Sequence, residues 1–266
     1  MTFSTDTATT PTSRGPVAGL AVSAGLLVAL AGTVGLSAGG WLAGAAYAMV
    51  LCGLLGLGLR RAGMSAMGPA NLVTFARALM VGGVTALVVT SFTRPPHLAV
   101  LVTLVGVALA LDGVDGQVAR RTGTSSPLGA RFDMEIDAFL ILVLSVFTAG
   151  EFGWWTVAIG AYRYVFVAAS WAAPWLTAAL PPKFSRKVVA ATQGVTLVVA
   201  TSHLLPQWLA GAGLAAALIS LTWSFGRDVH WLWRAELGRR AAEERTALPI
   251  VPPRRRVTRR HPATVG

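Results

Sequence analysis

Charge is scarce in this sequence. Only 12% of its 266 residues are Asp, Glu, Lys or Arg, and eleven of them are acidic. An ordinary soluble domain is about 25% charged, so a water-soluble globular enzyme is excluded. Cysteine is almost absent. Cys52, the only one, lies inside an apolar run, which excludes an intrachain disulfide and a cysteine-ligated metal cluster. Hydrophobic residues, by contrast, make up 54% of the chain and the mean hydropathy is +0.63, so disorder is excluded except at the ends. Nine Trp are present, several near the ends of apolar segments, where aromatic side chains meet a membrane–water interface. What remains is an all-α, polytopic membrane protein.

Residues 1–15 are rich in Thr and Ser and read as a solvated, disordered tail. Eight apolar runs follow, near 16–37, 40–59, 71–92, 98–118, 130–149, 153–173, 188–205 and 208–225; a span needs roughly 17–25 residues. Ala46-Tyr47-Ala48 has the look of a signal-peptide cleavage site. Cleavage there would leave the second run too short to span, so both runs are read as spans. The net charge of +11 does not point to nucleic acid, because ten of the 22 basic residues fall in the last 40 and most others flank apolar runs. That distribution suits anionic headgroups at a cell membrane. With the N-terminus inside, Arg60, Arg61, Arg120, Arg121, Lys183, Arg186, Lys187 and the C-terminal tail are all cytoplasmic, and the opposite loops hold only Arg94. Basic residues favour the cytoplasmic side, so both termini are expected there. The chain divides into the tail over 1–15, two spans over 16–59, six spans over 60–226 and a basic helix and tail over 227–266. The segment 227–248 suits either an interfacial helix or a solvated helical extension.

Five of the eleven acids, Asp112, Asp115, Asp133, Glu135 and Asp137, fall within 26 residues at the cytoplasmic ends of two consecutive spans. A carboxylate at the centre of a span costs about 2.5–3.5 kcal/mol on insertion scales, and such groups mark function. Asp112 and Asp115 are i,i+3, and Asp133 and Asp137 are i,i+4, so each pair shares a helix face. Glu135, two residues from both, must point elsewhere. An antiparallel hairpin brings the pairs together, and protons or cations must then relieve the repulsion. Oxygen ligands without His or Cys favour Mg²⁺ or Mn²⁺, with Ca²⁺ also admissible, over zinc. Gly113, Gly116, Ala119 and Gly129 keep the acidic face free of bulk, so a phosphate can approach the backbone.

The run Asp112-x2-Asp115-Gly116-x2-Ala119-Arg120-x8-Gly129-x3-Asp133-x3-Asp137 resembles the full signature of the CDP-alcohol phosphatidyltransferases. Asn71-x2-Thr74-x2-Arg77 is similar to the opening of that family's first core span, and Arg163 stands where members often carry Arg. The resemblance covers about 71–225 and leaves the first two spans and the tail outside it. It implies a six-helix core, often homodimeric, with a cytoplasm-facing cavity for two divalent cations, Mg²⁺ or Mn²⁺. It further implies transfer of the phosphatidyl group of a CDP-lipid, with CDP-diacylglycerol the expected donor, to an alcohol with release of CMP. By that resemblance Asp112, Asp115, Asp133 and Asp137 are metal ligands and Asp137 is also the general base. Gly116, Ala119, Arg120, Gly129, Asn71 and Thr74 would line the CDP-lipid site.

The acceptor is less constrained. Arg163, Arg186, Lys187 and Arg131 are candidates for the phosphate of a glycerol 3-phosphate or inositol phosphate acceptor, with Lys183 nearby. Positive-inside charges and snorkelling anchors would look the same for Lys183, Arg186 and Lys187. Arg163 falls mid-span, where an unpaired cation is costly, and Arg131 could contact phosphate or pair with Glu135. Two other classes fit the acids less well. An ion-coupled transporter would place acids near the midplane within paired repeats, whereas these lie at one surface in one hairpin. A non-catalytic membrane scaffold of the same fold has no need of four costly aspartates.

Overall fold

The computed structural model describes residues 14–61, 69–122, 127–181 and 183–247. Among them there is no strand, and eight α-helices follow in order: α1 (Arg14–Thr33), α2 (Ala38–Arg61), α3 (Pro69–Ser91), α4 (Leu98–Thr122), α5 (Pro127–Phe152), α6 (Val157–Ala172), α7 (Phe184–Ser202) and α8 (Gln207–Ala247). Each apolar run of the sequence has become one helix. Three are long and apolar enough to cross a membrane, over Ala38–Arg61, Leu72–Ser91 and Gln207–Arg245, and shorter apolar stretches occupy Val17–Thr33 and Leu98–Gly113. The others fall short for readable reasons. The charges between Arg131 and Asp137 interrupt the first half of α5, and α6 has only 16 residues.

Local chemistry sets the boundaries. Pro69 and Pro127 open α3 and α5, where the missing N–H would have had no helical partner anyway. Between α1 and α2, Gly35 turns the chain at φ 73°, and the Val34 and Gly35 amides donate back to the Leu30 carbonyl. Ser37 then accepts from the Gly40 amide through Oγ, capping α2, while its own amide donates to Thr90 Oγ1 of α3. The first two helices are thereby pinned to the end of α3.

α3 lies at the centre: 72% of its apolar window is buried, against 33% in α2 and 28% in α8. It packs on α1, α2, α4 and α5. One apolar core draws on all eight helices, with Leu27, Leu55, Val84, Leu101, Leu144, Ile159, Leu197 and Leu214 among its members. The added N-terminal pair is therefore part of the same packing unit as the rest. Small residues set the closest approaches. A Cβ on Gly160 of α6 would collide with the Leu142 backbone of α5, and backbone cannot swing aside. Gly160→Ala is expected to destabilise the protein by about 1–3 kcal/mol, read as a lowered unfolding midpoint in detergent. Gly53→Ala, where nothing lies within 4 Å, should leave the midpoint unchanged or raised.

α8 runs 41 residues without a break at 226–227, about 60 Å at 1.5 Å per residue. The segment after Gly226 thus continues the preceding helix without a break. Among the described residues Leu232 is its last buried one. Beyond it, Glu236 pairs with Arg239 and Arg240, and Arg239 pairs with Glu243, the i,i+3 and i,i+4 spacing that supports an exposed helix.

Candidate active site

Three helices supply one charged cluster, near the end of the bundle where α3 and α5 begin and α4 finishes. Arg77 of α3 donates from Nη1 to Asp112 Oδ1 of α4 and from Nη2 to Asp133 Oδ1 of α5. Its Nη2 also lies 3.3 Å from Asp137 Oδ1, one turn further along α5. The helical spacing of Asp133 and Asp137 explains how one guanidinium meets both.

Exposure within the cluster is uneven. The Arg77 side chain is 1% exposed, whereas those of Asp112, Asp133 and Asp137 are 42%, 34% and 39% exposed. The guanidinium closes the bottom of the cluster and the carboxylates face outward above it. One oxygen from each of the three aspartates lies within 4.8 Å of the others. Oxygens on one Mg²⁺, bonded at 2.0–2.1 Å, stand about 3–4 Å apart, so modest side-chain adjustment suffices. Among the described residues, three carboxylates and one guanidinium leave the cluster net negative, which suits a divalent cation. The donor set is all oxygen, and the residues fit a hard divalent ion.

Carboxylates this close need protons or cations to relieve their repulsion. The structure adds a cation from the chain itself. Arg77 was visible in the sequence only as the last fixed position of the Asn71-x2-Thr74-x2-Arg77 pattern. A lone Arg within the apolar helix Leu72–Ser91 was the available signal, because such a charge needs a partner.

The other expected residues distribute as follows. Thr74 is buried one turn before Arg77, and Gly129 is half-buried near the start of α5. Asp115, Gly116, Ala119 and Arg120 fall in the last turns of α4, but their side chains and surroundings, like those of Asn71 and Lys187, lie outside the described residues. Glu135 does point away from the aspartates. It pairs with Arg163 of α6, whose Nε lies 3.2 Å from Oε2 and whose Nη2 also donates to it. That leaves Arg131 exposed and without an ion pair among the described residues. Arg186 donates from Nε to Asp228 Oδ2 of α8 at 2.7 Å. Neither Arg163 nor Arg186 joins the aspartate cluster, and each spends part of its charge on a protein carboxylate. His203 is exposed and lies 2.9 Å through Nε2 from Glu151.

The family model for CDP-alcohol phosphatidyltransferase matches residues 67–225. Among curated proteins, Ethanolaminephosphotransferase 1 of Homo sapiens is 48% identical over 52 residues, which is 18% of this chain and 13% of that protein. Its Mus musculus counterpart is 47% identical over 51 residues, 17% of this chain and 13% of that protein. The chain therefore matches about one-eighth of the length of these relatives. No solved structure matches.

Proposed function

The chain belongs to the CDP-alcohol phosphatidyltransferase family, whose model covers more than half of it, and we propose that it moves the phosphatidyl group of CDP-diacylglycerol to an alcohol with release of CMP. The observation that carries this reading is the convergence of Asp112, Asp133 and Asp137 over the buried Arg77.

In this reading Asp112, Asp115, Asp133 and Asp137 would hold two divalent cations, Mg²⁺ or Mn²⁺. When bound, such ions neutralise a pyrophosphate and improve CMP as a leaving group. Arg77 fixes the rotamers of Asp112 and Asp133 from below, so their outward oxygens are preset. Asp137, one turn along α5 from Asp133, takes the proton of the acceptor hydroxyl. The hydroxyl oxygen bonds to the lipid-side phosphorus, the bond from that phosphorus to the CMP oxygen breaks, and CMP leaves with the electron pair. Gly116, Ala119, Arg120, Gly129, Asn71 and Thr74 are assigned to the CDP-lipid. A phosphorylated polyol, glycerol 3-phosphate or inositol phosphate, is the proposed acceptor, met by Arg163, Arg186, Lys187 and Arg131. Arg has five N–H donors, so Arg163 and Arg186 keep some for a phosphate despite Glu135 and Asp228. The basic flanks support a site and both termini on the cytoplasmic side of the cell membrane, and a homodimer is the proposed assembly.

A second reading comes from the relatives, named ethanolaminephosphotransferases. Carried to this chain, that name makes the nucleotide the carrier of ethanolamine phosphate and a lipid the bearer of the hydroxyl. One experiment separates the two. Purified protein is given CDP-diacylglycerol with glycerol 3-phosphate, inositol phosphate, inositol, serine or phosphatidylglycerol, or else CDP-ethanolamine with diacylglycerol. CMP release is followed in Mg²⁺ or Mn²⁺. Release with a phosphorylated polyol, abolished by chelation and restored by the metal, is the expected result. Activity that survives exhaustive chelation removes the two-cation proposal. Silence with every pair favours the scaffold.

A further inference from the structure

The helix pair outside the six-helix core delivers one side chain close to the site. The ring of Tyr47, on α2, stacks on Phe139 of α5 with centroids 5.1 Å apart and 28° between planes. It also lies against α3 at Gly82, where a Cβ would come within 2.8 Å of Tyr47 Cδ1. Phe139 is two residues past Asp137, and Gly82 is five past Arg77. At 1.5 Å per residue the ring sits roughly 3–8 Å deeper in the bundle than the aspartate cluster.

The hydroxyl oxygen of Tyr47 is buried and has no hydrogen-bond partner among the described residues. Arg77, Tyr164 and Cys52 are the titratable groups around it. A buried polar atom left unpaired costs stability, and each such case calls for an explanation. Phenylalanine would make the same stacking contact without that cost, so packing accounts for the ring and not for the hydroxyl.

The lipid substrate supplies an acceptor at this depth. A lipid whose reacting end lies at the aspartates must run its acyl chains into the hydrocarbon, and the ester carbonyls come first along that path. We propose that Tyr47 is a positioning residue whose hydroxyl donates a hydrogen bond to an ester carbonyl of the acylglycerol, setting the depth at which the reacting end meets Asp137. This rests on the chain being a CDP-alcohol transferase. It holds whether the lipid carries the nucleotide or the attacking hydroxyl, because both carry the same esters.

The test uses the full chain in mixed micelles and compares wild type with Tyr47→Phe on an ester lipid and its dialkyl ether analogue. The pair is CDP-diacylglycerol and CDP-dialkylglycerol, or diacylglycerol and dialkylglycerol if the lipid proves to be the hydroxyl partner. Tyr47→Phe is expected to raise KM for the ester lipid about five- to tenfold, the loss of one neutral hydrogen bond, with kcat within about twofold. Wild type should show the same rise on passing from ester to ether, and Tyr47→Phe should show no further rise. Its unfolding midpoint should equal or exceed that of wild type. An unchanged ester KM in Tyr47→Phe, an undiminished ether penalty in that variant, or a midpoint several degrees lower overturns the assignment and leaves the transferase reading standing. Absence of CMP release from wild type with either donor overturns both.

Discussion

Asp137→Asn is expected to lower CMP release by about 10²- to 10⁴-fold, the range attributed to a positioned general base, while CDP-lipid binding changes only a few-fold. Asparagine has the shape of aspartate but cannot accept the acceptor's proton, and it removes one unit of negative charge beside Arg77. Because Arg77 holds Asp112 and Asp133 directly and lies 3.3 Å from Asp137, the other two carboxylates should keep their places. Asp112→Asn separates the roles. It should raise the divalent-cation concentration needed for half-maximal rate, and excess Mg²⁺ or Mn²⁺ should restore part of the activity. Steady-state turnover measured against equilibrium binding of the CDP-lipid reads both variants. Turnover of Asp137→Asn within a few-fold of wild type removes the base assignment.

Arg77→Met should produce the largest loss of stability among single changes at the site. Truncating one member of a buried ion pair costs about 3–5 kcal/mol, because the partner charges lose their compensation, and solvent reaching the three half-exposed carboxylates lowers that figure here. Here three carboxylates would be left facing one another around an apolar side chain. The unfolding midpoint in detergent should fall accordingly, with activity lost. Adding Asp133→Asn to Arg77→Met removes one of the repelling charges, so the double variant should unfold at a higher midpoint than Arg77→Met alone. That non-additivity is the signature of direct coupling. A double variant less stable than either single one would mean that Arg77 stabilises α3 by packing and not by charge.

The aspartates were legible because their spacing is a property of single helices: i,i+4 on α5 fixes a shared face before any tertiary contact is known. Glu135 was legible by the same rule, as the residue that cannot join them. The partners across helices were not. An Arg163 alone in a span is costly, yet nothing in its own segment names Glu135, 28 residues away. Arg186 and Asp228, 42 residues apart, meet only because α7 and α8 pack together. Tyr47 carried no signal at all, since one Tyr among apolar residues reads as an ordinary interfacial aromatic. Its setting depends on Gly82 and Phe139 of two other helices. The end of α8 was open for a related reason. Alternating Arg and Glu suit both a surface-bound helix and a free one, and the choice turns on the continuity of the backbone through Gly226.

Arg77, Asp112 and the α5 aspartates stand on three separate rods, so the chemistry depends on how those rods lean against one another. Helices in a bilayer lean more when the lipid is thin for them and straighten when it thickens. A lean of a few degrees, acting over the length of a helix, shifts its side chains by a distance comparable to a coordination bond. On the proposed reading the rate of transfer should therefore vary with acyl-chain length, and a transferase acting on membrane lipid would feel, through its own scaffold, the thickness of the bilayer around it.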